Sequence, residues 1–447
     1  MGTIGRRVIC WVSAMAILAS VLVSLGCGST DAPGTIPAAA IIGDNSGGGT
    51  AFYQTWRMSA NQSHVDFCAQ RISSEGYLVW GEGGRLIDGY DAASYSVCDS
   101  YAVSDGSGGA VLIWEEPSRS QVNIARVDSQ GNVDWQTDIP RQGIEEIKGV
   151  ISDGSEGVII AYVDEDMNMS ALKTDAEGSL PWGSDGVPLN MGDSYLSDMA
   201  SDNSGGIIVV RYGGGNISAQ RVDSGGNVLW QTGGVEICGS LAGEAVVVSD
   251  GTGGAIIAFA RYIPSGGGTY SDSDIYAQRI DAEGNLLWGP DGARVSMKPP
   301  DAASPSIVNG GAGGAIIFFG DGTYVYAQRI DADGHRLWAE DIEVWKGNDY
   351  SVVSDDFDGA IGAWDERTQR VDGEGRTMWG PDGTTAMVDS SGWYLISPDG
   401  YGGVLVSWTA VAKSASGYEG YEASYYVQRV DAEGDIVWGD EGILLNR

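Results

Sequence analysis

Eight tryptophans in this chain occupy the same place in a repeated pattern, and that pattern leaves few folds open. They are Trp80, Trp135, Trp182, Trp230, Trp288, Trp338, Trp379 and Trp438, and each follows a glycine by four residues: Gly76, Gly131, Gly178, Gly226, Gly284, Gly334, Gly375 and Gly434. The interval between successive tryptophans varies from 41 residues (Trp338 to Trp379) to 59 (Trp379 to Trp438). A fixed motif at unequal intervals implies constant strands joined by connections of unequal length. A second element precedes each copy. It is a turn of the Asp-Gly-Ser-Gly-Gly kind, beginning near Asp44, Asp105, Asp153, Asp202, Asp250, Asn309, Asp355 and Asp399, and an apolar run follows it.

Together the two elements divide each repeat into four strands. In the sixth repeat the expected strands are 305–308, 315–319, 324–330 and 336–344. The second is apolar at every position, so both of its faces must be buried, as in a sheet packed between two other sheets. Glycines closing the turns supply the positive φ that tight hairpins demand. A four-stranded antiparallel unit repeated eight times implies an all-β, eight-bladed β-propeller. With strand one of the first blade at 38–42 and strand four of the last at 435–445, every blade is complete from contiguous sequence. The ring is then expected to close by face packing, with an exchanged strand as the alternative. The expected organisation is an export signal over 1–26, a tether over 27–37 and the propeller over 38–447.

A large planar side chain at one fixed place per blade would fill the gap between neighbouring sheets, and its N–H could find a backbone carbonyl. A basic residue is equally constant: Arg71, Arg126, Lys173, Arg221, Arg279, Arg329, Arg370 and Arg429. It is placed to stack on a tryptophan or to bind a turn aspartate. Residues identical in every blade hold blades together, so the eight tryptophans read as structural.

Composition narrows the function. The 447 residues include 69 glycines and are 43% hydrophobic, which fits short strands and tight turns rather than disorder. The formal net charge of −36 excludes a nucleic-acid role. Only two histidines are present, His64 and His335, so neither a His-based triad nor a histidine metal site can be assembled. Beyond the N-terminal segment the cysteines are Cys68, Cys98 and Cys238. Cys68 and Cys98 fall close together and could pair in an oxidising compartment. Asp-Ala-Asp-Gly at 331–334 matches the front half of a calcium loop but lacks its closing bidentate Glu, and turn chemistry alone explains it. The expectation is therefore no cofactor and no metal, with calcium the alternative.

Arg6 and Arg7 precede an apolar run over 8–25, the pattern of an export signal. The Gly26-Cys27 junction that follows resembles the lipobox of bacterial lipoproteins, with Ser24 and Leu25 where that family carries Leu and a small residue. The resemblance implies cleavage before Cys27, lipidation of Cys27, and an extracytoplasmic chain anchored to a bacterial membrane by its N-terminal lipid, at the cell surface or in the periplasm. A plain cleaved signal or an uncleaved anchor are the alternatives. Residues 29–37 are small, polar and Pro-containing, as a tether would be.

The Asp-x-x-Gly-x-x-x-Trp motif preceded by Ala-Gln-Arg, as in 277–288, resembles the tryptophan-docking motif of eight-bladed quinoprotein-type propellers. Here the turn is one residue shorter and lacks that family's Thr. It is also similar to the Asp-box of sialidase-type propellers, and overall to secreted bacterial proteins with Ala-Gln-Arg…Trp-Gly-x-x-Gly repeats. These resemblances imply a fold and not an activity. A quinone-dependent dehydrogenase would resemble its family in carrying a vicinal disulfide, and no Cys-Cys pair is present. A sialidase-like site needs three arginines gathered on one face, whereas here they are distributed once per blade. The chain is expected not to be an enzyme.

If constant residues hold the ring, recognition falls to the places where repeats differ. The strand two-to-three connections vary most: nearly absent at 364–369 in the seventh repeat, and long at 57–67, 261–272 and 409–425 in the first, fifth and eighth. They share a face with the strand four-to-one connections. The expected binding residues on that rim are His64, Tyr90, Tyr95, Tyr262, Tyr270, Tyr418, Tyr421 and Tyr425. His64, Tyr90, Tyr95, Tyr418 and Tyr421 are expected to crowd together where blades eight and one meet. The expected function is a monomeric surface lipoprotein that binds a protein or glycan without catalysis. The alternatives are an envelope assembly scaffold and a propeller-type hydrolase or lyase.

Overall fold

The computed structural model describes residues 16–17, 20–21, 40–58, 63–92, 100–116, 121–140, 143–191, 195–239, 241–264, 270–297, 301–390, 394–413 and 421–446. From Ala40 onward the strands form eight four-stranded antiparallel sheets, each built from four consecutive strands. Blade one comprises Ala40–Gly43, Gly49–Met58, Ser63–Ile72 and Arg85–Ala92; blade two, Ser100–Ser104, Ala110–Glu116, Gln121–Val127 and Val133–Pro140. Blade three is Glu146–Ser152, Val158–Val163, Met169–Lys173 and Val187–Pro188; blade four, Tyr195–Ser201, Ile207–Gly213, Asn216–Val222 and Val235–Cys238. Blade five is Ala242–Ser249, Ala255–Pro264, Tyr270–Ile280 and Ala293–Arg294; blade six, Ala303–Asn309, Ala315–Gly320, Tyr324–Ile330 and Ile342–Lys346. Blade seven is Ser351–Ser354, Ala360–Trp364, Arg367–Val371 and Thr384–Thr385; blade eight, Tyr394–Pro398, Val404–Lys413, Tyr421–Val430 and Ile443–Leu444. The fold is an eight-bladed β-propeller.

No sheet borrows a strand from the far end of the chain. Blade eight instead packs on blade one: Ile41, Tyr53 and Ile72 share a core cluster with Leu405, Tyr425 and Val427. In blades two, three, six and seven the second strand is buried at every residue, as its apolar run requires.

The docking motif explains how blades adhere. In seven seams the indole N–H of one blade donates to a carbonyl in the strand three-to-four turn of the next. Trp135 reaches Ala176 at 2.7 Å, Trp182 reaches Ser224 at 3.0 Å, and Trp438 closes the ring on Ser74 at 3.1 Å. Trp230, Trp288, Trp338 and Trp379 do the same to Ala282, Ala332, Gly373 and Ala432. The recurring glycine lies beneath the incoming ring. At Gly434, with φ +90°, a Cβ would stand 2.6 Å from Trp379 Cδ1, so a side chain is barred by contact as well as by conformation.

The constant basic residue binds the turn aspartate of its own blade, as in Arg279–Asp250 and Arg221–Asp202, both at 2.9 Å. In several seams it also donates to the carbonyl the indole uses, as Arg279 does to Ala332 at 3.1 Å. A buried glutamine completes the unit: Gln278 Oε1 accepts the Trp288 backbone N–H, and its Nε2 donates to the Gly289 carbonyl at 2.6 Å.

This pinning corrects the expected fourth strands. In blade six the strand is Ile342–Lys346 rather than 336–344, and in blade eight it is Ile443–Leu444 rather than 435–445. Arg336 and Ile436 each make one isolated bridge, to Ile330 and Val430. The chain then leaves the sheet while glutamine holds the tryptophan towards the next blade, and it rejoins several residues later.

Candidate functional site

The strand one-to-two and three-to-four turns lie on one face of the ring, which the docking lattice occupies. The other face carries the two-to-three and four-to-one connections, and here the blades differ. In blade seven, Ala360–Trp364 and Arg367–Val371 are joined by the two-residue turn Asp365-Glu366. Blades one, five and eight instead project long hairpins: Gly49–Met58 with Ser63–Ile72, Ala255–Pro264 with Tyr270–Ile280, and Val404–Lys413 with Tyr421–Val430. These expansions, expected as loops, are largely paired strand. Ladder bonds come from the backbone, so polar residues pair there too: Tyr270, Asp272 and Ser273 stand across from Pro264, Ile263 and Tyr262.

In blade one the fourth strand lengthens as well, and His64 pairs across with Asp91. The imidazole is held between two carboxylates, with Nδ1 2.7 Å from Asp91 and Nε2 3.1 Å from Asp66. Both ring nitrogens are thus engaged by acids. His64 and Asp66 share the side of the strand that carries Cys68, which packs with Tyr425 and Leu405 of blade eight.

Strand parity separates the residues expected to gather here. Tyr90 lies on the opposite side of blade one, 4% exposed, stacked on Phe67 at 6.2 Å, and Phe67 packs on Trp114 of blade two at 5.1 Å. Tyr90 is a core residue of the seam between blades one and two, not a rim anchor. Tyr425 is likewise corrected: it is 1% exposed with its ring 5.8 Å from Tyr53, inside the seam between blades eight and one. Tyr270 and Tyr421 open the returning strands of the blade-five and blade-eight hairpins. Tyr95, Tyr418 and Cys98 lie outside the described residues, as does Cys27, whereas Cys68 is buried.

Of the expected anchors, Tyr262 is 39% exposed and lies on the side of its strand that carries Ala258 and Ala260 and faces blade six. At the mouth of the seam between blades four and five, Tyr195 pairs directly across from Tyr212, and Tyr195 is 66% exposed. The first strand of blade five carries a bulge at Gly243 and Glu244, between Ala242 and Ala245, and the open side of Gly243 faces Ala260 and Tyr262. The Tyr262 backbone N–H donates to the Leu241 carbonyl at 2.7 Å, and Leu241 holds φ +61°. A Cβ on Gly243 would stand 3.1 Å from the Tyr262 hydroxyl oxygen. Burial raises the Glu244 carboxyl above its ordinary range. Burial, then Tyr212 and Glu244, raises the Tyr262 phenol.

Beneath this mouth the seam is stitched by side chains. Ser197 Oγ donates to the Ala245 carbonyl at 2.7 Å and accepts the Ala245 N–H at 3.0 Å. The buried Asp198 carboxylate accepts the Val247 and Met199 N–H groups, and its burial raises its pKa strongly. A signal for this site did exist. Tyrosine stands near the start of strand one in blades two, four, seven and eight. Tyr101, Tyr350 and Tyr394 donate their hydroxyls to the carbonyls of Ile147, Ser304 and Ala363, whereas Tyr195 turns to solvent.

On the turn face, donor atoms of Asp331, Asp333 and His335 lie near one another. Asp331 Oδ1 accepts the N–H groups of Asp333 and His335 at 3.0 and 2.8 Å, the self-contained turn bonding expected of that sequence.

No family model and no curated protein sequence matches this chain. Among solved structures it is similar to Hsv2 of Kluyveromyces lactis, at 12% identity and a TM-score of 0.42 over 73% of this chain and 96% of that one. It is similar to the Aleuria aurantia lectin, a six-bladed propeller described with a fucose recognition mode, at 12% identity and a TM-score of 0.36 over 65% and 91% of the two chains. It is also similar to prolyl oligopeptidase B of Galerina marginata, at 10% identity and a TM-score of 0.40, over 76% of this chain and 50% of that one. These likenesses reach the propeller architecture and carry no argument about ligand or activity.

Proposed function

We propose that this chain is a non-catalytic binding module, held at a bacterial membrane through a lipid on Cys27, which recognises an extracytoplasmic glycan or protein with the hairpin face of its ring. The observation that carries this reading is the inequality of the two faces. The turn face repeats one set of inter-blade bonds, whereas the opposite face bears three projecting hairpins that the ring does not need in order to close. Exposed tyrosine on a rigid scaffold suits recognition, because it offers contact area at little conformational cost. The only histidine on this face has both nitrogens against carboxylates, which favours a structural imidazole over a general base.

Two experiments test the reading. In the lipid-free Cys27→Ser chain, trimming 59–62, 265–269 and 414–420 to Asn-Gly turns should abolish retention on an isolated cell-envelope fraction while leaving the thermal transition in place. Retention that survives all three trims would overturn the assignment of this face. Fatty-acid labelling in a bacterial host should mark the native chain and be lost in Cys27→Ser; label that persists in the variant would remove the anchor.

A further inference from the structure

The turn face repeats its bonds, yet two neighbouring blades depart from the repeat in their side chains. The third residue of the strand one-to-two turn carries a hydroxyl in blades one to five: Ser46, Ser107, Ser155, Ser204 and Thr252. Ser46 donates it to Asp44 at 2.6 Å, Ser107 to Asp105 at 2.9 Å and Thr252 to Asp250 at 2.9 Å. Blades seven and eight have Phe357 and Tyr401 at this position. Their backbone N–H groups still donate to Asp355 and Asp399, so the turn closes without a hydroxyl and without help from either ring. Phe357 is 64% exposed and Tyr401 56%. The Arg279–Asp250 pair of blade five has no ring over it, so the equivalent pair in blade seven does not need Phe357 as a cover.

The two turns also meet. The Phe357 ring lies against Gly402, where a Cβ would stand 3.2 Å from its Cε2. The Asp356 carboxylate accepts the Gly400 N–H. These contacts bracket Tyr401 along the chain, so Phe357, Tyr401 and Asp356 share one small area of the turn face. Asp355 and Asp399 beneath it are paired with Arg370 and Arg429, both at 2.8 Å, whereas Asp356 has no ion pair among the described residues. Three carboxylates therefore stand against two guanidiniums, and the area is left negative.

We propose that this area is a docking site for the Lys or Arg side chains of a basic polypeptide, with Phe357 and Tyr401 offering ring faces to the cations and Asp356 the opposite charge. The negative face of an aromatic ring attracts a cation, and a carboxylate beside it adds to the attraction. Two rings on separate blades call for two cations on one extended ligand, which a basic segment presents on alternate residues. A formal net charge of −36 draws such a segment in from a distance. The site lies on the face opposite the hairpins and is independent of the reading given to them.

The test is fluorescence anisotropy of the full chain with dye-labelled hexa-arginine, and with hexaglutamate as control, at about 0.15 M salt, where exposed charges more than about 8 Å apart are screened. Hexa-arginine should bind and hexaglutamate should not. The double variant Phe357→Ser, Tyr401→Ser gives both turns the residue their neighbours carry and leaves the net charge unchanged. It should weaken binding about tenfold with the thermal transition retained. Asp356→Asn should weaken binding severalfold, whereas Asp175→Asn, which removes the same charge from blade three across the ring, should barely alter it. Binding unaltered by the double variant, or weakened equally by the two Asn variants, overturns the site in favour of attraction by net charge. Absence of hexa-arginine binding overturns it outright, and spermine competing as tightly as the peptide overturns the polypeptide assignment. The chain with 59–62, 265–269 and 414–420 trimmed should bind hexa-arginine like the native one, so this proposal and the hairpin-face reading fail separately.

Discussion

The two faces of this ring follow different rules. On the turn face, seven tryptophans make one bond to one kind of carbonyl, and each basic residue meets its turn at the same place. On the hairpin face the two-to-three connections run from two-residue turns in blades four and seven to the long hairpins of blades one, five and eight. Cohesion is divided among equivalent seams, so the opposite face is free to vary without loosening the ring. The comparison is broken most directly by truncating one residue on each side. Trp438→Ala, which removes the indole that closes the ring on Ser74, should cost about 3–5 kcal/mol. Tyr195→Ala should stay within about 0.5 kcal/mol. Denaturant titration of the two variants measures both. Equal losses would mean that the faces do not divide the work.

The ion pairs sharpen the contrast within the turn face. Asp250 is almost wholly buried and Arg279 retains 15% exposure. Arg279→Ala strands a buried carboxylate and should cost about 2–3 kcal/mol, somewhat below the figure for a fully buried pair. Blade six already lacks the acid. Asn309 replaces it, and Arg329 donates to the Gly310 and Gly373 carbonyls at 2.6 and 2.8 Å. Arg329→Ala should therefore cost only about 1–2 kcal/mol in the same titration.

One seam departs from the other seven. Trp80 Nε1 is buried and meets no acceptor among the described residues. The carbonyl in its place, on Ser129, accepts from Arg71 at 2.9 Å. Replacing Trp80 by Phe removes an unsatisfied donor, whereas the same change at Trp438 removes a made bond. Trp438→Phe should lose about 1 kcal/mol more than Trp80→Phe. Equal effects would mean that the Trp80 indole finds an acceptor after all.

The ring was legible in the sequence because every blade must satisfy the same contact, so Gly and Trp recur at fixed separation whatever lies between them. The third strand of blade six, Tyr324–Ile330, matches its expected bounds for that reason. Outer strands were harder to place. An edge strand such as Thr384–Thr385 carries few bonds and little apolar pattern. The hairpins read as loops because the sequence over 59–62, 265–269 and 414–420 is small or polar and carries no apolar alternation. Tyr90 and His64 were grouped by loop, although they stand on opposite sides of blade one, a distinction set by register rather than by proximity in the chain. The mouth at Tyr195 depends on bulges in the first strands of blades four and five, which no local residue pattern announces.

The smallest expected effect lies at the turn-face position where blade seven departs from its neighbours. The second residue of the strand one-to-two turn takes positive φ, and glycine or asparagine fills it in blades one to five and in blade eight, as at Asn45, Asn203 and Gly400. Blade seven has Asp356, with φ +64°. Burial, then the neighbouring Asp355 and Asp399 carboxylates, push its pKa up to about 6 against an accepted N–H from Gly400. In the folded chain this group holds its proton more tightly than in the unfolded chain. Its contribution therefore falls as pH rises from about 4 to about 6 and stays low above that. Asp223 has the opposite sign. Its pKa is lowered by the Asn227 side chain and backbone N–H, so its contribution is present at neutral pH and is lost on acidification. Asp356→Asn keeps a residue that tolerates this backbone and removes the titration. Flanking groups crowd the carboxyl, but the residue keeps much of its surface in water, so the gain is screened and the variant should melt about a degree higher than the native chain at pH 7.5. At pH 4 the two should melt together. A gain that persists undiminished at pH 4 would trace to backbone conformation, and the carboxylate crowd would have no part in it.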